Sequence, residues 1–435
     1  MKKYHFIGIK GSGMSALAQI MHKLGNYVQG SDLDTHFFTQ IELDKLNIKL
    51  LPYNKNNIQE GFEIIKGASF DESHEEVIRA KELNLKIHTY MEMLQNLIQN
   101  HIGICVTGCH GKTTTTSILS YVLNHLKGTN YLIGDGTGFA KPGNKYFVLE
   151  ACEYKRHFLN YFPEYIIITN IDLDHTDYYK DMDDVMDAYN SFANNAKKLI
   201  IACGDDKNSR LLKTNNKIIY YGINNDNNVI AKNIKYTSKG TSFDVYIDNK
   251  NFGSFDIPIF SKNLLLDVLS VITLCYLENL TATDIEKELK TYKGCKRRFN
   301  QYQINDSIVI DDYAHHPNEI KTIIEATKQK YPNKDIICIM QPHMFTRVRD
   351  FYLDFAKELN QAQKTYMLDI YKAREKQSDF PNITSQIIID NLDNGETIKI
   401  DEASKLVKHK GSVFLFLSPN DISQIINDLK NLLKK

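Results

Sequence analysis

A strand-length apolar run, Ile102–Val106, opens directly into Thr107–Thr116, TGCHGKTTTT. The apolar residues beyond it (Ile118, Leu119, Tyr121, Val122, Leu126) recur at helical spacing. Strand, glycine-rich loop and helix in that order gather backbone N–H groups at a helix N-terminus, where they complement anionic oxygens. The fold must therefore present this loop at a strand end, as open α/β sheets do. The loop is a candidate nucleotide-phosphate site made of Gly108, Cys109, His110, Gly111, Lys112, Thr113 and Thr114. Lys112 suits the β- and γ-phosphates, and the Thr113 hydroxyl suits Mg²⁺. The gap between Gly108 and Gly111 is shorter than in a Walker A loop.

At 435 residues the chain exceeds one ordinary core, so two or three domains are expected. Residues 1–98 alternate strand and helix. Strands are read at Tyr4–Ile9, from Tyr27, at Phe62–Ala68 and at Lys86–Thr89. One helix carries Met14, Leu17, Ala18, Met21 and Leu24; another starts at Ser73, with Glu76 three residues on as its capping partner (SHEE). Residues 99–293 form a second block, with buried-type strands at Tyr146–Leu149, Tyr165–Thr169 and Leu199–Ala202. Antiparallel hairpins follow over 217–260, then a helix near 263–278. Residues 294–435 return to alternating elements, with strands at Ser307–Ile310, Ile336–Met340, Thr365–Leu368 and Val413–Leu417.

Lys+Arg and Asp+Glu are equal at 53 each, which argues against nucleic acid or an anionic membrane as the main partner. No apolar stretch approaches the roughly 20 residues of a membrane helix, and the N-terminal apolar run is too short for a signal peptide. The seven cysteines are scattered and never spaced as CxxC, so reduced thiols and a cytoplasmic protein are expected.

Carboxylates follow the loop on later strand ends: Glu150 ends FVLE, with Glu153 close behind, and Asp172, Asp174 and His175 lie in TNIDLDHTD. Mg²⁺ is a hard cation taking oxygen ligands around phosphates, so these positions suit a magnesium–nucleotide site. Near the N-terminus, Gly8, Gly11 and Gly13 (GIKGSGM) sit between a strand and a helix, where a pyrophosphate can approach the backbone. Ser31-Asp32 end the next strand, where a carboxylate could meet a ribose hydroxyl. In the last block, DDYAHHP (311–317) and QPHMFTR (341–347) each follow a strand. Their histidines and Arg347 suit either a zinc site or an anionic substrate. The adjacent His315 and His316, without HxxxH or CxxC, favour the anion, and Arg347 can grip a carboxylate with a bidentate fork.

These residues together resemble the Mur ligase family, the ATP-dependent amide-forming enzymes of peptidoglycan precursor synthesis. The resemblance rests on GIKGSGMSALA, GCHGKTTTT, KRRFN, DDYAHHPNEI and QPHMFTR and covers essentially the whole chain. It implies an α/β protein of three domains: a Rossmann-like UDP-substrate domain (1–98), a central P-loop ATPase-type mixed sheet (99–293) and a C-terminal Rossmann-like domain for the incoming amino acid (294–435). The branch it points to joins L-alanine to the lactyl carboxylate of UDP-N-acetylmuramate through an acyl phosphate. The resemblance assigns Lys112 and Arg298 to the transferring phosphate, and Thr113, Glu150 and His175 to the metal. Asn263 would lie at the adenine, and Gly8, Gly11, Ser12, Gly13, Met14, Ser31 and Asp32 at the UDP-sugar. Tyr313, His315, His316, His343 and Arg347 would surround the amino acid, with His343 a candidate base. ATP and Mg²⁺ are the implied cofactors, and the expected assembly is a monomer or weak homodimer.

The sequence departs from the family in places. The adenine motif reads Asn263-Leu264-Leu265-Leu266-Asp267, a late glycine turn is replaced by Ser418-Pro419-Asn420-Asp421, and EACEYKR stands after the second strand. Two other readings compete: a ligase attaching a tripeptide to the same sugar, and a non-catalytic ATP-gated switch. The switch leaves DDYAHHP, QPHMFTR and the N-terminal glycine loop without ligands.

Overall fold

The computed structural model describes residues 1–435. The first unit runs β1 (Lys3–Ile7), α1 (Ser12–Lys23), β2 (Tyr27–Ser31), α2 (Gln40–Lys45), β3 (Lys49–Leu51), β4 (Phe62–Lys66), α3 (Glu75–Glu82), β5 (Ile87–Thr89) and α4 (Tyr90–Gln99). Its five strands are all parallel in the order β3-β2-β1-β4-β5, a doubly wound sheet.

The second unit holds β6 (Ile102–Thr107), α5 (Lys112–Leu126), β7 (Thr129–Ile133), β8 (Thr137–Phe139), β9 (Tyr146–Glu150), β10 (Tyr165–Ile168), α6 (Met182–Ala193) and β11 (Leu199–Cys203). It continues through β12 (Ile218–Gly222), β13 (Val229–Thr237), β14 (Gly240–Ile247), β15 (Lys250–Ile257), α7 (Lys262–Leu277) and α8 (Ala282–Thr291). Ten strands form one mixed sheet, β15-β14-β13-β12-β11-β10-β6-β9-β7-β8. Its middle is parallel and its strands there are nearly continuous apolar runs, as burial on both faces requires; all of Tyr165–Ile168 is buried. Antiparallel hairpins are confined to the two ends of the sheet.

The third unit comprises β16 (Asn300–Ile304), β17 (Ser307–Asp312), α9 (Pro317–Lys330), β18 (Ile336–Met340), α10 (Phe345–Leu359), β19 (Lys364–Met367), α11 (Gln386–Ile389), β20 (Gly395–Thr397), β21 (Val413–Leu417) and α12 (Ser423–Lys434). The order is β16-β17-β21-β18-β19-β20, with only β16 antiparallel. No helix is long and apolar enough to cross a membrane.

One local expectation fails. The cap of α3 is His74, whose ring accepts from the Glu76 N–H, while the Ser73 hydroxyl turns back to Asp71. Glu76 does not reach back to the cap. It is fully buried, where Ser31, Asn57 and His5 surround its carboxylate. A tertiary network outcompetes the local capping box.

Candidate active site

β9, β6 and β10 are neighbours in the central sheet, and their carboxyl ends deliver Glu150, the Gly108–Gly111 loop and Thr169-Asn170 to one place. Gly108 (φ 136°) and Gly111 (φ 82°) hold backbone angles that L side chains rarely adopt. A Cβ on Gly108 would lie 2.0 Å from Thr169 Oγ1, and one on Gly111 2.5 Å from Asp267 Oδ1. The loop is therefore wedged between the end of β10 and helix α7. Asn170 locks it from the other side. Its carbonyl accepts from the Cys109 N–H (3.3 Å), its Oδ1 accepts from the His110 N–H (3.0 Å), and its Nδ2 donates to the His110 carbonyl (2.9 Å). With α5 starting at Lys112, the first-turn N–H groups lack helix partners and point out of the sheet end.

Lys112 is folded onto the loop. It donates to the Gly108 and Cys109 carbonyls and to Glu153 Oε1 (3.0 Å). Burial works against its charge, yet the Glu153 carboxylate holds the ammonium above its ordinary value. Thr113 Oγ1 donates to Glu150 Oε1 at 3.0 Å, and Gly134 N–H donates to Glu150 Oε2 at 2.7 Å. Burial pushes the Glu150 carboxyl up. The third expected metal residue, His175, faces Glu153 instead, with Nε2 3.7 Å from Oε1. Glu153 Oε2 is buried without any partner.

Arg298 approaches from the C-terminal side. Its guanidinium lies over the Tyr313 ring at 5.2 Å and pairs with Glu319 at 3.5 Å. Its neighbour Arg297 turns away and donates to the carbonyls of Ser418, Pro419 and Asn420. The two adjacent arginines thus divide into one that braces the turn Ser418–Asp421 and one held by Tyr313 and Glu319. His316 caps α9 with Glu319 in a capping box, and its ring lies against that of His110, centroids 4.6 Å apart and tilted by 35°. Burial pushes the His110 imidazole down to about 3 and lowers that of His316 as well.

His343 and Arg347 line a cavity of about 100 Å³ between the central and C-terminal units. Arg347 is already paired with Asp174 (3.1 Å). Burial opposes the Asp174 charge, but the guanidinium holds that carboxyl well below the usual range. Burial, with His315 and Arg347 nearby, pushes His343 down to about 3. His315 lies in the same cavity, its Nδ1 3.1 Å from the Tyr313 carbonyl.

Residues 3–102 match the Mur ligase family, catalytic domain; 106–275 match the Mur ligase middle domain; and 297–416 match the Mur ligase, glutamate ligase domain. The chain belongs to the Mur ligase family. Members of this family are ATP-dependent amide ligases. Among solved structures, the Thermotoga maritima UDP-N-acetylmuramate–alanine ligase is 25% identical over 99% of both chains, with a TM-score of 0.83. A murein peptide ligase from Psychrobacter arcticus shares the fold at 20% identity, over 100% of this chain and 99% of that one, TM-score 0.71. The Thermotoga maritima MurF ligase, solved in complex with ADP, shares it at 15% identity over 96% and 99%, TM-score 0.64.

Not every residue expected of a Mur ligase site faces open space. Ser31 is fully buried and its hydroxyl donates to Glu76 at 2.5 Å, so its side chain is unavailable to a ribose. Met14 is packed into the core under α1. Asp32 accepts from the Lys10 N–H (2.7 Å) and from Tyr53 (3.3 Å), closing the Gly8–Gly13 loop. Gly11 and Ser12 remain at the loop surface, whereas Gly8 and Gly13 are fixed by contact: added Cβ atoms would strike Phe70 and Tyr90. The Asn263 amide donates to Thr322 of α9 (2.5 Å). Asp267, in the altered adenine motif, instead packs beneath Gly111, and burial pushes it up to about 8. Thr169, Asn170 and Asp267 are the residues whose roles no motif spacing disclosed, although all three lie inside the segments singled out above; the sequence suggests Glu153 for the metal but not as the partner of Lys112.

Proposed function

We propose that this Mur ligase joins L-alanine to the lactyl carboxylate of UDP-N-acetylmuramate at the expense of ATP. The observation that carries this reading is a small cavity holding His343 and Arg347, set directly beside the Asp174-His175 segment that borders the phosphate loop. Its size and its arginine suit one small amino acid. On this reading residues 1–98 hold the UDP-sugar, 99–293 the ATP, and 294–435 the amino acid.

The donor set fits a magnesium ion. Thr113 and Glu150 offer oxygens 3.0 Å apart at the loop, and the unpartnered Glu153 Oε2 is a further buried oxygen nearby. His175, the third assigned ligand, sits beside Glu153. The ion would supply charge neutralisation at the phosphates. When ATP binds, Lys112 exchanges the loop carbonyls for phosphate oxygens, and the α5 N-terminus cradles the same group. The γ-phosphorus–oxygen bond to ADP breaks as the carboxylate oxygen forms a new one, with Lys112 and Arg298 stabilising charge on the transferring phosphoryl. The amine nitrogen then attacks the acyl carbon and inorganic phosphate leaves. Attack needs a neutral amine. With its basicity so depressed, His343 can accept a hydrogen bond and orient the amine, but it is a poor store for the proton.

The test is phosphate release from ATP and Mg²⁺ with UDP-N-acetylmuramate, run with L-alanine, with a tripeptide and without amine. Release only with alanine, and a product heavier by one alanyl residue, is the expected outcome. Release only with the tripeptide assigns the protein to peptide attachment. No release with any amine, despite ATP binding, sinks the ligase assignment for this chain.

A further inference from the structure

The segment Asp172–Asp177 is stitched to the C-terminal unit at nearly every polar position. Asp172 accepts from Asn318 (3.1 Å), Asp174 pairs with Arg347 (3.1 Å), Thr176 donates to Asp350 (3.0 Å), and Asp177 pairs with Arg374 (2.5 Å). Both members of the last pair line the cavity that holds His343 and Arg347. Exposure gives the cavity a direction. The Arg347 side chain is 9% exposed and marks the inner end, whereas that of Arg374 is 52% exposed and marks the mouth.

The mouth is built from both domains. Asp177 also accepts from the Tyr154 hydroxyl (2.9 Å), and the Arg374 guanidinium lies over the Tyr154 ring at 5.2 Å. The loop carrying Arg374 is tied to the inner end as well. His343 forms a backbone bridge with Tyr371, and their rings stack 5.9 Å apart at 14°. On the alanine reading, the carboxylate of the incoming amino acid would end beside Arg347. A peptide amine continues from that same carbon, and the half-exposed side of the same cavity, lined by Arg374, is where its chain would leave.

We propose that Arg374, held across the domain gap by Asp177 and Tyr154, is the specificity-determining residue that limits the incoming amine to a single small amino acid. This rests on the alanine reading above. The mechanism is exclusion: the Arg374–Asp177 pair stands across the exit a peptide chain needs. A half-exposed ion pair adds little to stability, so its removal leaves the fold in place.

The test compares the wild type with Arg374→Ala, Arg374→Lys and Asp177→Ala, using L-alanine and L-alanylglycine as amines. The readout is kcat/KM from phosphate release, with product mass. In the wild type alanine is expected to be used at least about tenfold better than the dipeptide. Arg374→Ala and Asp177→Ala are expected to shift the alanine-to-dipeptide ratio by about tenfold or more toward the dipeptide. The shift should come mainly through a lower KM for the dipeptide, and Arg374→Lys should restore much of the selectivity. An unchanged ratio in both alanine-substituted variants, with wild-type thermal midpoints showing that they are folded, overturns the proposal. A wild type that uses neither alanine nor the dipeptide but does use a tripeptide overturns the function reading and this proposal with it. That outcome is visible before any variant is made.

Discussion

At the scale of single residues, the site holds its charges in pairs. Lys112 and Glu153 are the clearest case: Glu153 is 2% exposed, and one of its oxygens has no other partner. Removing the lysine leaves a buried carboxylate uncompensated, which costs about 3 kcal/mol. Lys112→Ala should therefore lose both stability and activity, the latter by about 100-fold or more. Adding Glu153→Gln should restore the unfolding midpoint without restoring phosphate release. Recovery of activity along with stability would show the lysine to be structural. His110 supports a second prediction. Its folded-state pKa, near 3, lies below its unfolded value, so the unfolded chain takes up a proton first as pH falls through about 6.5. Stability should be constant above that pH and decline below it, by up to about 1.4 kcal/mol per pH unit from this residue. His110→Asn should flatten the pH 7-to-5 difference in urea midpoint; an unaltered slope removes His110 from the account.

At the scale of elements, the parallel strands and the phosphate-loop helix were legible because their physics is local. Apolar runs such as Tyr165–Ile168, bounded by turn residues, read as buried strands, and GKT after a strand reads as a helix start. The short strands β3, β7, β8, β16 and β20 were not legible. They carry three to five residues each and exist because a neighbour's edge pairs with them. The same limit hid the second half of the site. Asn170 and Asp267 serve the loop through contacts across many intervening residues, which no spacing rule encodes. A residue name alone also misled: Ser31 has the right chemistry and place in sequence for a ribose but spends its hydroxyl on Glu76. The loop itself yields an element-scale prediction. Gly111→Ala forces a side chain into left-handed backbone and against Asp267 Oδ1. It should cost about 1–3 kcal/mol and weaken ATP binding measured by calorimetry, whereas Gly25→Ala, with equal φ strain but open space, should leave ATP affinity intact. Equal ATP affinity in both variants would show that the Asp267 contact does not shape the loop.

At the scale of the whole molecule, three sheets do not make three equivalent bodies. One continuous apolar core runs from the first unit into the second, joining Phe6, Leu17 and Ile65 to Phe147, Ile166 and Phe192. The C-terminal unit has its own cores, drawn only from residues beyond 300 or at its edge. Its contacts with the central unit are largely polar, as in the stitched segment Asp172–Asp177. The first two units are thus one packed body, and the third is docked on it by groups that water can replace. Gln19 sits at the packed joint. It is buried in α1, donates to the Gly136 carbonyl (2.8 Å) and accepts from the Gly138 N–H (3.1 Å), where β8 lies so close that a Cβ on Gly138 would fall 1.9 Å from the Ala16 carbonyl oxygen. Calorimetry of the ligand-free protein should show two unfolding transitions, one for the joined N-terminal and central units and one for the C-terminal unit. Gln19→Ala strands two buried backbone groups and should destabilise the first body by about 1–3 kcal/mol while leaving the second transition where it was. A shift of both transitions together would mean that the C-terminal unit is packed as firmly as the rest.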